Sequence, residues 1–280
     1  VDYLALLTFG QSAYLVREPD TSSLGTRSLH RTLQNYQIDQ RPLQGLSPIR
    51  PNLSFVALNI CKIQKHSIVL DPYCGTGSLL LLPTKLGAVC LGSDINKTYF
   101  ESTATGKNTL QSNFDFYNLP VPDVFVANTI SKIHFYRCRS PFLDCILTDV
   151  PFGFRKPRVK YDNGSYDDRV SSPVDLHKAV LAMVFPLYVL GRDCLVVGGR
   201  LVFFFPTFAQ QEGLVLDEVS LGLNAFNRVE KSSTSSSGCC EEEVDVECVL
   251  RLVCVCTEQF KQFQRNLVCV EKRLSYNKRL

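Results

Sequence analysis

Apolar runs of four to eight residues recur along this chain, and spacers long enough for a helix separate the first five of them. Parallel strands need a crossover connection, so this alternation predicts β-α units and a largely parallel sheet. The predicted strands cover residues 67–71 (SIVLD), 89–93 (VCLGS), 124–128 (VFVAN), 143–149 (LDCILTD) and 200–205 (RLVFFF). Two later runs, 246–256 and 266–271, lie too close together for a crossover helix and predict an antiparallel hairpin. Helices are predicted over 52–62, 78–86, 98–112 and 173–190, with Pro83 expected to kink or shorten the second. Residues 231–243 (KSSTSSSGCCEEE) are polar and of low complexity, which predicts a loop. We read residues 1–50 as a lead-in segment and residues 51–280 as one α/β domain.

Composition narrows the class. The 280 residues are 45% hydrophobic and 20% charged, which fits a globular chain with a sizeable core and excludes global disorder. A net charge of +3 is too small to imply a polyanionic partner, so any such contact must come from local clustering. No apolar run approaches the roughly 18 residues of a membrane-spanning helix. The 12 cysteines are scattered and mostly sit in strand-like runs such as VECVLRLVCVC, as small apolar side chains do in a reducing compartment, and we expect a cytoplasmic protein. There is no C-x-x-C pair and the four histidines are isolated. No metal site is expected, because a set drawn from Cys239, Cys240, Cys254 and Cys256 would need loop cysteines to fold back onto a strand. The chain starts at Val1 without an initiator methionine, and the expectation is of a fragment.

Candidate chemistry gathers at strand ends. In VLDPYCGTGSLL, residues 69–80, a strand ends in Asp71 and Pro72, a turn carries Gly75 and Gly77, and a helix is expected to follow. Backbone N–H groups at that helix start are expected to face a ligand above the sheet, which the glycines allow to come close. A dinucleotide fingerprint would need a third small residue where Leu80 stands, and its acid lies after the glycines, whereas Asp71 precedes them. One β-α unit later, GSDIN places Asp94 at the tip of the second strand, where an acid can accept hydrogen bonds from both hydroxyls of a ribose.

The stretch ILTDVPFGFRKPR, residues 146–158, brings a third acid to the same edge. An exocyclic amine conjugated to a ring is a poor nucleophile and needs acceptors for its hydrogens. Asp149 can take one and the carbonyl of Val150 the other, while Pro151 stiffens the turn and Phe152 offers a stacking face. Arg155, Lys156, Arg158 and Lys160 follow closely and are expected to contact phosphates, which positions a nucleic acid without reading its sequence.

DPYCGTG, GSDIN and TDVPFG, in that order, resemble the cofactor, ribose and amino-group motifs of class I S-adenosylmethionine-dependent methyltransferases that act on exocyclic nitrogen. From about Leu29 onward the chain resembles the catalytic domain of the eukaryotic tRNA guanosine-10 N2-methyltransferase family, among the THUMP-domain methyltransferases. RPLQGLSPIRPNLSFVALNI, LVVGGRLVFFFPT and the tail CTEQFKQFQRNLVCVEKRL carry that closer likeness. The resemblance implies a Rossmann-like, seven-stranded, mostly parallel sheet with a C-terminal antiparallel hairpin. It implies S-adenosylmethionine held by Asp71, Pro72, Gly75, Gly77, Asp94 and Asn128, with Asp149, Val150, Pro151 and Phe152 at the target base. It further implies tRNA as substrate, a small zinc-binding activator subunit as partner, and an RNA-binding THUMP region upstream. Val150 stands where the family usually has proline, Ser47-Pro48-Ile49 replaces a Thr-Ser-Met-like stretch, and Asn128 replaces an acid at the adenine amine.

In a sheet of this kind the third strand lies at the edge, so residues 121–128 (VPDVFVAN) should expose an unpaired apolar strand suited to strand addition by the partner. Two other readings stay open on the sequence. One keeps the chemistry but changes the acceptor to another RNA, DNA adenine or a glutamine side chain, since each presents a conjugated amine. The other is a catalytically weak RNA-binding subunit.

Overall fold

The computed structural model describes residues 3–9, 12–17, 35–45, 49–101, 108–129, 140–151, 173–208, 223, 227, 249–259 and 263–274. Strands β1 (Tyr3–Phe9) and β2 (Ser12–Arg17) pair as an antiparallel hairpin inside the segment read as a lead-in. The remaining strands are β3 (Ile68–Asp71), β4 (Val89–Asp94), β5 (Asp123–Val126), β6 (Leu143–Asp149), β7 (Leu195–Phe208), β8 (Leu250–Gln259) and β9 (Phe263–Lys272). They form one seven-stranded sheet in the order β5-β4-β3-β6-β7-β9-β8. β5, β4, β3, β6 and β7 run parallel, and β9 and β8 close the sheet antiparallel. This is the Rossmann-like architecture with a terminal hairpin that the sequence predicts, and β5 lies at the expected edge.

Successive side chains of a strand point to opposite faces, and the buried residues divide accordingly. Val69, Cys145, Leu147, Val202, Phe204, Leu267 and Cys269 join α1 (Pro51–Ile60), α2 (Leu81–Lys85) and α3 (Leu110–Phe116) in one core. Leu70, Ile146, Leu201, Phe203, Phe205, Val268 and Val270 pack on the other face against Val184, Leu187, Tyr188 and Leu190 of α4 (Pro173–Cys194). Strands covered on both faces read as continuous apolar runs, which is why they stood out in the sequence.

Two helices depart from expectation. The helix predicted over 78–86 begins only at Leu81, because Pro83 has no N–H to give to Leu79 and a helix starting earlier would need that bond. Its first i to i−4 bond runs from Thr84 N to the Leu80 carbonyl at 3.0 Å. The helix predicted over 98–112 is not continuous: Lys97–Tyr99 form a 3₁₀ turn, and Thr109 is extended at φ −119° and ψ 176°. The Thr109 N–H donates to Ser112 Oγ at 3.0 Å, which starts α3 there and carries it on to Phe116. Among the described residues no helix is long and apolar enough to cross a membrane.

Candidate active site

The order β4-β3-β6 places Asp94, Asp71 and Asp149 at the carboxyl ends of three adjacent parallel strands. The chain winds outward from β3 in one direction through β4 and β5, and in the other through β6 and β7. Asp71 and Asp149 therefore flank the switch point, where the crevice of an open α/β sheet lies.

Asp71 is buried, and its Oδ1 accepts from the Tyr73 N–H at 3.1 Å and the Thr148 hydroxyl at 2.5 Å. Burial pushes its carboxyl up to about 7; those two donors work against the rise, and the neighbouring Asp94 adds to it. Asp94 is half-buried, with Oδ2 accepting from the Gly75 N–H at 2.9 Å and Oδ1 from the Asn96 N–H at 2.8 Å. Burial raises its pKa, opposed by the N–H groups of Asn96, Gly75 and Ile95. Each oxygen has a second lone pair, so Asp94 retains acceptor capacity toward a diol.

Several backbone N–H groups close the glycine turn. Gly75 N–H is taken by Asp94, Cys74 N–H by the Ser93 carbonyl, Gly77 N–H by the Cys74 carbonyl and Leu80 N–H by the Gly77 carbonyl. Those donors hold the turn together. Gly75 (φ +51°) has open space where a Cβ would stand, apart from Asp94 Oδ2 at 4.0 Å. Gly77 (φ +78°) serves packing, since a Cβ there would come within 2.8 Å of Phe114 and 3.0 Å of Leu110. Pro72 supplies a carbonyl that accepts from Ser93 Oγ at 3.2 Å and Thr129 Oγ1 at 2.9 Å, tying β4 and the end of β5 to the turn. Asn128, next to that threonine, is half-buried, and Ala127 N–H donates to the Asp94 carbonyl at 3.0 Å.

At the end of β6, Asp149 is in part exposed as a residue, but its Oδ1 is sealed from solvent and has no hydrogen-bond partner. Burial pushes this carboxyl up to about 7, Arg265 pulls it down, and Asp71 pushes it up. Val150 turns the other way, buried against the α4 face, and its N–H donates to the Phe204 carbonyl at 3.4 Å. A proline would forgo that bond, while the Val150 carbonyl is common to both residue types. Pro151 is exposed. Phe152, Arg155, Lys156, Arg158 and Lys160 lie outside the described residues, as do Ser47 and Pro48; Ile49 is buried in the core.

Several supporting residues had no sequence signal of their own. Asn113 donates to the carbonyls of Leu43 at 2.9 Å and Thr76 at 3.0 Å and accepts from Leu43 N–H at 2.8 Å, which clamps the pre-strand segment onto the glycine turn. Arg41, also buried, donates to Ser78 Oγ at 2.7 Å and the Tyr36 carbonyl at 2.8 Å. Thr148 was visible as the one hydroxyl in an apolar run, and Arg265 as a charge in the terminal hairpin, but neither could be assigned a partner from spacing.

Residues 39–161 match the family model UPF0020, described as an RMKL-like methyltransferase domain. The mouse tRNA (guanine(10)-N(2))-methyltransferase TRMT11 is 28% identical over 200 residues, covering 64% of this chain and 42% of that protein. The Schizosaccharomyces pombe tRNA (guanine(10)-N(2))-methyltransferase is 29% identical over 196 residues, covering 65% and 40%. TrmN from Thermus thermophilus aligns in three dimensions at a TM-score of 0.48 and 14% identity, over 81% of this chain and 50% of that one. The alignments thus take in about two fifths of the length of these curated relatives. Residues 39–161 are thus similar to an RMKL-like methyltransferase domain, and about two thirds of the chain is similar to part of the tRNA (guanine(10)-N(2))-methyltransferases.

Proposed function

We propose that this chain transfers a methyl group from S-adenosylmethionine to the exocyclic N2 of a guanosine in tRNA, at position 10. The observation that carries this reading is the Oδ1 of Asp149, a buried acceptor without a donor beside Asp71 at the switch point. Such an oxygen is costly in the free protein and is satisfied by an incoming N–H. The names of the curated relatives support the same substrate.

The residues present fit the cofactor: Asp94 keeps acceptor capacity for the ribose hydroxyls, Gly75 leaves open space, and Asp71 with Pro72 frames the turn. Asn128 stands one strand further out, where its amide can meet the adenine edge. The sulfonium supplies an electrophilic methyl with its own leaving group. Asp149 and the Val150 carbonyl orient the amine by accepting its two hydrogens, Pro151 and Phe152 hold the base, and the Asp149 carboxylate offsets positive charge as the nitrogen attacks. Positioning and charge placement of this kind are worth about 2.7–4 kcal/mol per group. Arg155, Lys156, Arg158 and Lys160 grip phosphates.

The proposal extends to a small zinc-binding activator subunit that adds a strand beside β5, whose Val126 is 52% exposed, and to action in the cytoplasm. The test is incubation of the chain, with and without that subunit, with unmodified tRNA and labelled cofactor, followed by nucleoside analysis. N2-methylguanosine at position 10 is expected. Label in another base, or none with the partner present, would overturn the assignment.

A further inference from the structure

The face of the sheet that carries α1 holds a cluster of thiols away from the three carboxylates. Cys145 lies on β6, Cys269 on β9, Cys254 and Cys256 on β8, and Cys61 caps the end of α1. Cys254 is at the centre, paired across the strands with Cys269 and two residues from Cys256 on the same face, and Cys61 and Cys145 share the core beneath that face. Among the described residues no group of three or more His, Cys, Asp or Glu is arranged to hold a metal ion.

The register explains how these thiols meet. β8 pairs with β9 as Leu250 with Lys272, Arg251 with Glu271 and Leu252 with Val270, and the pairing then shifts so that Cys254 lies opposite Cys269. In regular pairing Val253 would stand opposite Cys269, and Cys254 would point to the α4 face with Val268. One extra residue, a β-bulge, re-aims every following side chain. The bulge therefore brings both Cys254 and Cys256 onto the thiol face. Cys269 is buried, while Cys254 and Cys256 are half-buried on the outermost strand of the sheet. An accessible thiol thus stands directly across from a buried one that can resolve it, at the cross-strand spacing a disulfide spans.

We propose that Cys254 is a thiol-exchange site for small disulfides, with Cys269 as its resolving partner. The Cys254 thiolate attacks one sulfur of a low-molecular-weight disulfide; that S–S bond breaks and the released thiolate takes up a proton. Cys269 loses its proton to solvent and attacks the Cys254 sulfur, forming the cross-strand disulfide and expelling the second small thiol. Two protein thiols are oxidised and one small disulfide is reduced to two thiols. Cys256 and Cys269 hold the Cys254 thiol well below the ordinary cysteine range against the effect of burial, and the Arg200 guanidinium, held by Glu271 at 3.0 Å, adds to the lowering. Cys254 and burial push the Cys269 thiol up, so Cys254 is the attacking group.

The test treats the folded chain with oxidised glutathione and maps disulfides by mass spectrometry after alkylating free thiols. A Cys254–Cys269 linkage without retained glutathione is expected, and reduction should reverse it. Replacing Cys269 and Cys256 together by serine should instead trap glutathione on Cys254. The wild-type map alone decides the matter should that variant not fold. Linkage of Cys254 to Cys256, or oxidation only after denaturation, would overturn the proposal.

Discussion

The Thr148 hydroxyl donates to Asp71 Oδ1 at 2.5 Å across β6 and β3, one residue before the carboxylate of Asp149. Neighbouring residues of one strand thus serve both halves of the site, one bracing the acid of the glycine turn and the next supplying the unpaired acceptor. Replacing Thr148 by valine removes a donor that holds down the Asp71 carboxyl, which burial already pushes up to about 7. The Thr148→Val protein should bind S-adenosylmethionine about tenfold more weakly at pH 7, as loss of one hydrogen bond to a charged group implies, and recover above pH 8. Calorimetric titration at several pH values measures this; a pH-independent loss would count against it.

Asp149 should trade stability for function. Its carboxyl ionises near pH 7 in the fold against an ordinary 3.8, so the folded state holds a proton that the unfolded chain has lost between those values. Folding stability from this group is therefore full below about pH 4 and declines as pH rises toward 7. Asp149→Asn removes the decline. At pH 8 it should melt several degrees above the parent, converge with it near pH 4, keep cofactor affinity and lose turnover.

Arg265 opposes the rise in the Asp149 pKa. If the carboxylate is the active form, Arg265→Met should move the acid limb of kcat/KM upward by about one pH unit, the low end of what a nearby opposite charge contributes. Rate at pH 9 should be largely restored. An unmoved limb would remove Arg265 from the account.

Asp94→Ala deletes acceptors for a diol and also frees the Gly75 N–H that closes the turn. Cofactor affinity should fall about 10- to 100-fold, equivalent to one or two hydrogen bonds to a charged group. Asp94→Asn, which retains one acceptor oxygen, should fall in between.

Gly77 and Gly198 separate steric from conformational demand. Both have left-handed backbone, at φ +78° and +83°, but a Cβ at 77 meets Phe114 at 2.8 Å while one at 198 meets nothing within 4 Å. Gly198→Ala should cost about 1 kcal/mol and Gly77→Ala about 1–3 kcal/mol more, read from urea unfolding.

The alternation of apolar runs was enough to place all seven strands of the main sheet, since its central strands, covered on both faces, are apolar throughout and the edge strand β5 still carries Val124, Phe125 and Val126 in a row. It also located Asp71, Asp94 and Asp149, because an acid closing such a run can only stand at a strand end. Helix starts were less legible: Pro83 and Thr109 act through individual hydrogen bonds, which periodicity does not register. Tertiary structure alone decided what each acid faces. The Thr148 brace and the Asn113 clamp join residues 77 and 70 positions apart, and the sealed Asp149 oxygen and the opposition of Cys254 to Cys269 follow from how neighbouring strands meet. Such pairings depend on strand order and on a single bulge, and one added residue in a strand reverses every side chain beyond it.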